Sequence, residues 1–538
     1  MSTDLVETNL SVDKNSNTTK NNIMSSFAAK LLIVDYLLLV LAYGGFYRSI
    51  FANSDTLWGA LDPSSTFKAR LDCFRWIPGI VEWFINLTGF LPALHARLSL
   101  VLFICALCVS LLLLQIVFID LFGRICDFQE DNVGLQIGIV AAVSLSYVNV
   151  LFSEFFYFPE SYYIFGLAFL FLSSGFYLLS KKRIILAMFS FFCMTMCYQM
   201  SCPIATIIIG VYVYLEHKGE FSVSLIKEEL VKALPPMILF VLNYLTGPFI
   251  QGILSRFGIE SYQEKSAIMG YGLGEYISII ASSVGNLLSS NLGLTPGIYA
   301  PLLVFVISLV LVVMVCIKKH NLGQLATFFL VEVILIILVL AVQIASDPVT
   351  FIARTITTLY VAQGMQLLIM LYFIVDGKEH NIHFVSFEKV LYLLPAIYVI
   401  FQLFFIQCII QNRMVSETLD SVYAEKIFEK IEAYEQETGI IVKKIAPIND
   451  TDSSPFYDQV HFCSGAINRR CYSDYTWTFL QYCAYETDLA GSLYGRSFER
   501  VNMDDDVYKE LFEGKNWTSF DVDDQVIIRG DTVYICVF

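Results

Sequence analysis

Between Arg48 and Arg97 the chain gathers residue types that bind and activate hydroxyl groups. They are Asp55, Asp62, Asp72 and Glu82, the cations Arg70 and Arg75, and Trp58, Trp76 and Trp83. Aromatic faces bind the C–H faces of sugars, acids bind or deprotonate hydroxyls, and a guanidinium matches a phosphate with its planar donor fork. Together these suit a phosphate-linked sugar. Asp55 follows Asn53 and Ser54, and is either a general base or a solvated loop acid. Glu154 and Glu160 are separated by Phe155, Phe156, Tyr157, Phe158 and Pro159, which holds two acids against an aromatic surface unless one of them faces water. Tyr198 and Gln199 form a hydrogen-bonding pair between two apolar runs, open to substrate binding or to helix packing. Arg354 follows Ser346, Asp347 and Pro348 at the start of another run, where it either binds an anion or snorkels to lipid phosphates. The sulfur-rich stretch Cys193, Met194, Met196, Cys197, Met200 and Cys202 lies in an apolar segment, and core packing explains it better than a soft-metal site.

The elements that must position these residues are apolar. Hydrophobic residues make up 56% of the 538 and charged residues 15%, against about 45–50% and about 25% in soluble domains. A mean hydropathy of +0.64 with 44 Phe and 30 Tyr excludes a disordered chain. A net charge of -15 leaves no basic surface to neutralise phosphates, so nucleic acid is not an expected partner. No Walker loop, zinc CxxC pattern, dinucleotide fingerprint or nucleophile elbow stands in a suitable context.

Residues 413–538 carry 12 basic and 23 acidic residues, net -11, which leaves 22 and 26, net -4, for residues 1–412. The chain divides accordingly. Residues 1–26 are polar and rich in Ser, Asn and Thr, and are expected to be a disordered cytoplasmic N-terminus. Residues 27–412 form a multi-span membrane domain with a long first outer loop, 48–97. Residues 413–538 form an extracytoplasmic C-terminal α+β domain. Eleven apolar runs approach the length of about 20 residues that crosses a hydrocarbon core. They start near Phe27, Leu98, Val133, Tyr162, Ile184, Pro203, Leu234, Tyr299, Gln324, Thr357 and Val390. Those at Ile184–Cys197 and Pro203–Leu215 are short, as a tilted or re-entrant pair would be.

Orientation follows from Lys and Arg, which resist translocation. With the N-terminus cytoplasmic, 13 of them fall in inner segments, including Arg124, Lys181, Lys218, Lys232 and Lys319. Eight fall outside, five of them in the long first loop. Residues 48–97, 153–162, 198–201 and 346–354 then share the outer face with the tail. Ile80–Leu91 reads as an interfacial helix centred on Trp83 and Phe84, beneath which a lipid-borne substrate would enter. In the tail, Leu419, Val422, Ile427, Ile431 and Tyr434 recur at helical spacing. Ile440–Ile445 and Gln525–Phe538 are β-rich, the second broken by Arg529, Gly530 and Asp531 as by a hairpin turn. Cys463, Cys471, Cys483 and Cys536 lie in this domain, and their pairing is open.

This pattern resembles the bacterial polytopic glucosyltransferases that add glucosyl branches to O-antigen and related glycans, a family within the GT-C-like membrane glycosyltransferases that use polyprenyl-phosphate sugars. The likeness covers nearly the whole chain. It is carried by Asn53, Ser54, Asp55 and Trp58, by Phe74, Arg75 and Trp76, which resemble the family's Gly-Arg-Trp element, by the Glu154 to Glu160 loop, by Tyr198 and Gln199, by Arg354, and by the exported domain ending in a hairpin. Two departures are Phe74 in place of glycine, and Ser54 where relatives often place a second acid. The resemblance implies an inverting transfer of a hexosyl group, glucosyl in the family, from a polyprenyl phosphate to a cell-envelope glycan at the outer face of a bacterial inner membrane. In it Asp55 is the base, Arg75 and Arg354 hold the leaving phosphate, and Trp58, Trp76, Glu154, Glu160, Tyr198 and Gln199 bind substrate. A divalent cation is the one cofactor it allows. The competing classes are a polytopic transporter or lipid-linked-sugar flippase, and a tail domain merely anchored by the spans. The clustering of polar candidates at one face argues for surface chemistry over a translocation path.

Overall fold

A computed structural model describes residues 26–48, 67–126, 132–257, 273–341, 353–380, 388–449, 496–515 and 521–537, except residues 69, 72, 93, 292, 293, 296, 298 and 497. Among the described residues, thirteen main helices precede the C-terminal sheet: α1 Ser26–Tyr47, α2 Trp76–Leu87, α3 Ala96–Ile125, α4 Val133–Ser144, α5 Tyr162–Ser180, α6 Ile184–Cys197, α7 Ser201–Glu216, α8 Pro235–Leu254, α9 Leu273–Ser290, α10 Ala300–Lys318, α11 Leu322–Val339, α12 Thr358–Glu379 and α13 Glu388–Thr438. Among the described residues, eight helical stretches are long and apolar enough to cross a membrane: α1, α3, α5, α8 with the turns leading into it, α10, α11, α12 and the Lys389–Gln411 part of α13.

All eleven apolar runs are helical, but three are short: α4, α6 and α7. The run from Val133 leaves the helix after Ser144 and continues as tight turns through Ser161, with 3-10 segments at Phe152–Tyr157 and Pro159–Ser161. Irregular backbone at membrane depth is tolerated only where other groups satisfy it, and here they do. Tyr43 of α1 donates to Tyr147 O at 2.7 Å and accepts from Asn149 N at 3.3 Å. Asn149 donates to Leu145 O and accepts from Phe152 N, both at 2.8 Å, and Gln402 of α13 accepts from Val150 N at 3.1 Å. A further helix, α9, lies outside the eleven runs; Ile277, Ile280, Val284 and Leu287 recur along it at helical spacing.

The two ends of the bundle differ in chemistry. At one end, the C-termini of α3 and α7 meet in a network: Arg124 pairs with Glu216 at 3.1 Å and donates to Tyr212 at 2.9 Å, and Lys232 pairs with Glu216 and Glu228. Lys181 reaches Asp120 at 3.6 Å, and Lys319, just past the end of α10, pairs with Asp376 of α12 at 2.6 Å. These cations are ones that the charge count assigns to a single side. Helix α13 begins at this end, where Gly138 of α4 lets the Tyr392 carbonyl approach closely. It passes Val150 at Gln402 and reaches the far end of α1, where Ile410 packs on Gly45. The tail therefore leaves the bundle at the end occupied by residues 145–161.

No helix break separates span from tail: α13 runs 51 residues. Ile427 and Ile431 on its last turns bury themselves against Val442, Ile445, Phe498, Val526, Val533 and Ile535, each such burial contributing about 1.5–3 kcal/mol. The sheet, in order β2-β1-β4-β3, comprises β1 Lys444–Asn449, the two-residue β2 Glu499–Arg500, β3 Val526–Arg529 and β4 Thr532–Val537. β1 is parallel to β2 and β4, whereas β3 and β4 form the hairpin expected from Arg529, Gly530 and Asp531, with Gly530 at φ 60. Cys536 is buried against Leu511 and Phe512; Cys463, Cys471 and Cys483 lie outside the described residues.

Candidate functional site

Four chain segments converge at the tail-bearing end. A short helical turn ending at Leu71 closes with Phe74 N donating to Leu71 O and Arg75 N to Arg70 O, both at 2.9 Å. This is the double bond of a Schellman cap, and Phe74 occupies its left-handed position at φ 58. Glycine takes that conformation without steric cost, whereas Phe74 adopts it with a side chain. The Phe74 ring lies on Gly247 of α8, filling the space a side chain would need. Arg75 is thereby delivered at the start of α2, its Cζ 5.2 Å from the centre of the Tyr198 ring.

Tyr198 stands in extended backbone between α6 and α7, 3% exposed, with Phe155 and Phe165 edge-on to its ring at 5.8 and 5.1 Å. Gln199 donates to Cys73 O at 2.7 Å, tying the α6–α7 joint to the first loop. From the opposite side comes Arg354, in the 3-10 turn Ala353–Thr355 ahead of α12. Its backbone N–H donates to Glu154 Oε2 at 2.6 Å, its guanidinium reaches Glu154 Oε1 at 3.5 Å, and its Cζ lies 4.6 Å from the Phe158 ring centre. Glu154, Arg75 and Arg354 all act electrostatically on the Tyr198 hydroxyl. Arg354 is thus committed to a buried acid instead of reaching for lipid. Arg75 differs: its Nε is buried with no hydrogen-bond partner among the described residues.

Glu160 belongs to a neighbouring station. It accepts from Ser161 Oγ at 2.9 Å; Ser161 in turn accepts from Arg70 at 3.1 Å, and Arg70 Nε lies 3.7 Å from Glu82, to which Tyr163 donates at 3.0 Å. Neither loop acid faces water: Glu154 is 0% exposed and Glu160 5%. Helix α2 presents Ile80, Trp83, Phe84 and Leu87 outward and Pro78, Gly79 and Glu82 inward. It is the expected amphipathic segment, but it begins at Trp76, which is half-buried, and ends before Gly89, at φ 71. Asp55 and Trp58, with Asp62 and Asp72, lie outside the described residues. Cys193, Met194, Cys197 and Cys202 are buried in the core, Cys202 against Thr195 Oγ1 at 3.2 Å.

Residues that sequence reasoning missed are Tyr43 and Gln402, which hold the Glu154 loop, and two acids inside the spans, Asp35 of α1 and Glu332 of α11, both buried. A lone acid within an apolar run was the available signal. No family model, curated protein or solved structure matches the chain.

Proposed function

We propose that the protein is a membrane hexosyltransferase, taking a sugar, glucose by resemblance, from a polyprenyl phosphate to a cell-envelope glycan at the outer face of a bacterial inner membrane. The observation that carries this reading is the meeting of Arg75, Arg354, Tyr198 and Glu154 at the bundle end from which the tail emerges. Arg75, without an acid of its own among the described residues, offers a guanidinium to the leaving phosphate, where a fixed cation stabilises developing negative charge. Arg354 both neutralises Glu154 and holds the loop, so the buried Glu154 serves the site by fixing the Arg354 guanidinium in place. Asp55 serves as general base on the acceptor hydroxyl in a single inverting displacement. The exposed Trp83 and Phe84 face of α2 sits in the interface and admits the lipid carrier.

The test follows labelled polyprenyl-phospho-glucose into a host cell-envelope glycan extract, with Asp55→Asn in parallel. Transfer by the native chain, reduced by at least about 100-fold in Asp55→Asn, is the expected result. Full activity of the variant removes Asp55 from the mechanism. The buried intramembrane acids Asp35 and Glu332 favour the second reading, a transporter or flippase of lipid-linked sugars. Label that crosses liposome bilayers without entering glycan would select it.

A further inference from the structure

The bundle interior holds an acid that the proposed site does not use. Asp35 is fully buried on α1, facing α3 and α4. Its Oδ1 accepts from Gln115 Nε2 at 2.8 Å. Its Oδ2 is buried with no hydrogen-bond partner among the described residues, and so is Oε1 of the same Gln115. The two unpaired atoms thus belong to one bonded pair. The orientation of the glutamine amide is set by Ser144, whose hydroxyl donates to Val140 O at 2.8 Å and is left to accept from Gln115 Nε2 at 3.4 Å. Both N–H groups of Gln115 are therefore used, and its oxygen is the acceptor in need of a donor.

An ionised carboxylate in this position would be buried in an apolar bundle on a single neutral hydrogen bond, a costly arrangement. The other titratable group facing it is the Cys108 thiol of α3, which donates to Leu32 O at 3.3 Å, with Cys105 beyond it on the same helix. From α4 the facing group is the Ser144 hydroxyl, and no cation among the described residues pairs with Asp35. One proton on Oδ2 would supply the missing donor: given to Gln115 Oε1, it would close a ring of two antiparallel hydrogen bonds between acid and amide. We propose that Asp35 and Gln115 form a resident proton-binding site inside the bundle, in which Asp35 is held as the neutral acid. The site pins α1 to α3, and α1 also carries Tyr43 and Phe46, whose rings stack on Phe156 at 4.0 and 5.4 Å behind the Glu154 loop. This inference does not depend on the transferase reading.

Infrared spectra of the purified full chain test it, with aspartate carrying carbon-13 in its side-chain carboxyl. A protonated-carboxyl C=O band at neutral pH, moved by the label, lost in Asp35→Asn and shifted to higher frequency in Gln115→Leu, is the expected result. Asn at this position reproduces the ring as an amide pair, so Asp35→Asn should melt with the native protein while Asp35→Leu melts lower. A native-minus-Asp35→Asn difference that contains only ionised-carboxylate bands would overturn the proposal, pointing to a water or a cation between the two side chains. Equal destabilisation by Asn and Leu would overturn it as well. Should Asp35→Asn fail to fold, the labelled native band and its response to Gln115→Leu decide.

Discussion

Tyr43→Phe removes one oxygen and nothing else, and the structure says what that oxygen does. Its hydroxyl donates to Tyr147 O at 2.7 Å and accepts from Asn149 N at 3.3 Å, inside a non-helical stretch with few other ways to satisfy its backbone. Leaving a buried polar group unpaired costs about 1–3 kcal/mol, while hydrogen bonds between membrane helices average nearer 0.6 kcal/mol. Two bonds then give about 2 kcal/mol for the variant. The ring stacking on Phe156 is retained, so the loss isolates the hydroxyl; Tyr43→Leu should forfeit about 0.5–1.5 kcal/mol more. Cys108, Cys126, Cys193, Cys197, Cys202 and Cys316 are buried, so a thiol-reactive fluorogenic dye reports melting of the bundle in detergent. A fall of a few degrees is expected for Tyr43→Phe, with a drop in transfer because Glu154 rides on the loosened loop. An unchanged melting point together with unchanged transfer would refute the argument that Tyr43 supports this backbone.

Three further outcomes follow from the same geometry. Arg354→Ala leaves Glu154 charged and buried, at about 3–5 kcal/mol, whereas the double variant Arg354→Met with Glu154→Gln should recover most of that stability but no transfer; melting and activity assays on the two variants separate the effects. Gly247→Ala places a methyl where the Phe74 ring lies, so it should displace Arg75 and raise the KM for the lipid donor more than it lowers kcat. In the tail, burial acts to raise the Glu435 carboxyl, but hydrogen bonds from Arg496 and the Val442 N–H outweigh it and hold it below the usual range. That interaction is fully present above the unfolded value of about 4.3 and is lost as pH falls through the lower folded value. Hydrogen exchange of β1 and β4 should therefore quicken in acid, and Arg496→Gln should weaken that pH dependence, leaving the part due to the Val442 N–H.

Eight of the eleven apolar runs were legible as spans because each is long enough to leave one physical option. The hairpin at Gly530 and the helix through Ile427 and Ile431 were legible for a related reason, since turn chemistry and period act locally. The end of α4 was not. Val133 onward is as apolar as any span, and what stops the helix is a set of partners more than 100 residues away in Tyr43 and more than 200 away in Gln402. The site was half legible: residue type singled out Arg75, Glu154, Tyr198 and Arg354, while spacing along the chain does not say that Arg354 meets Glu154 and that Glu160 meets Ser161 instead. Asp35 and Glu332 escaped because a single acid scarcely changes the hydropathy of its run.

Helix α13 crosses the bundle and reaches the tail without interruption. The 25 residues from Gln402, which holds the Val150 backbone, to Ile427, which seats the sheet, amount to about 37 Å of axial rise. A joint of this kind fixes azimuth as well as height. Each residue inserted between residues 412 and 424 would lift the C-terminal domain by about 1.5 Å and swing it by about 100° around the axis. Any molecule engaged by both the domain and the bundle must span a set distance and arrive from a set direction, so that the tail is an indexed arm, with a reach and a bearing written in residue count.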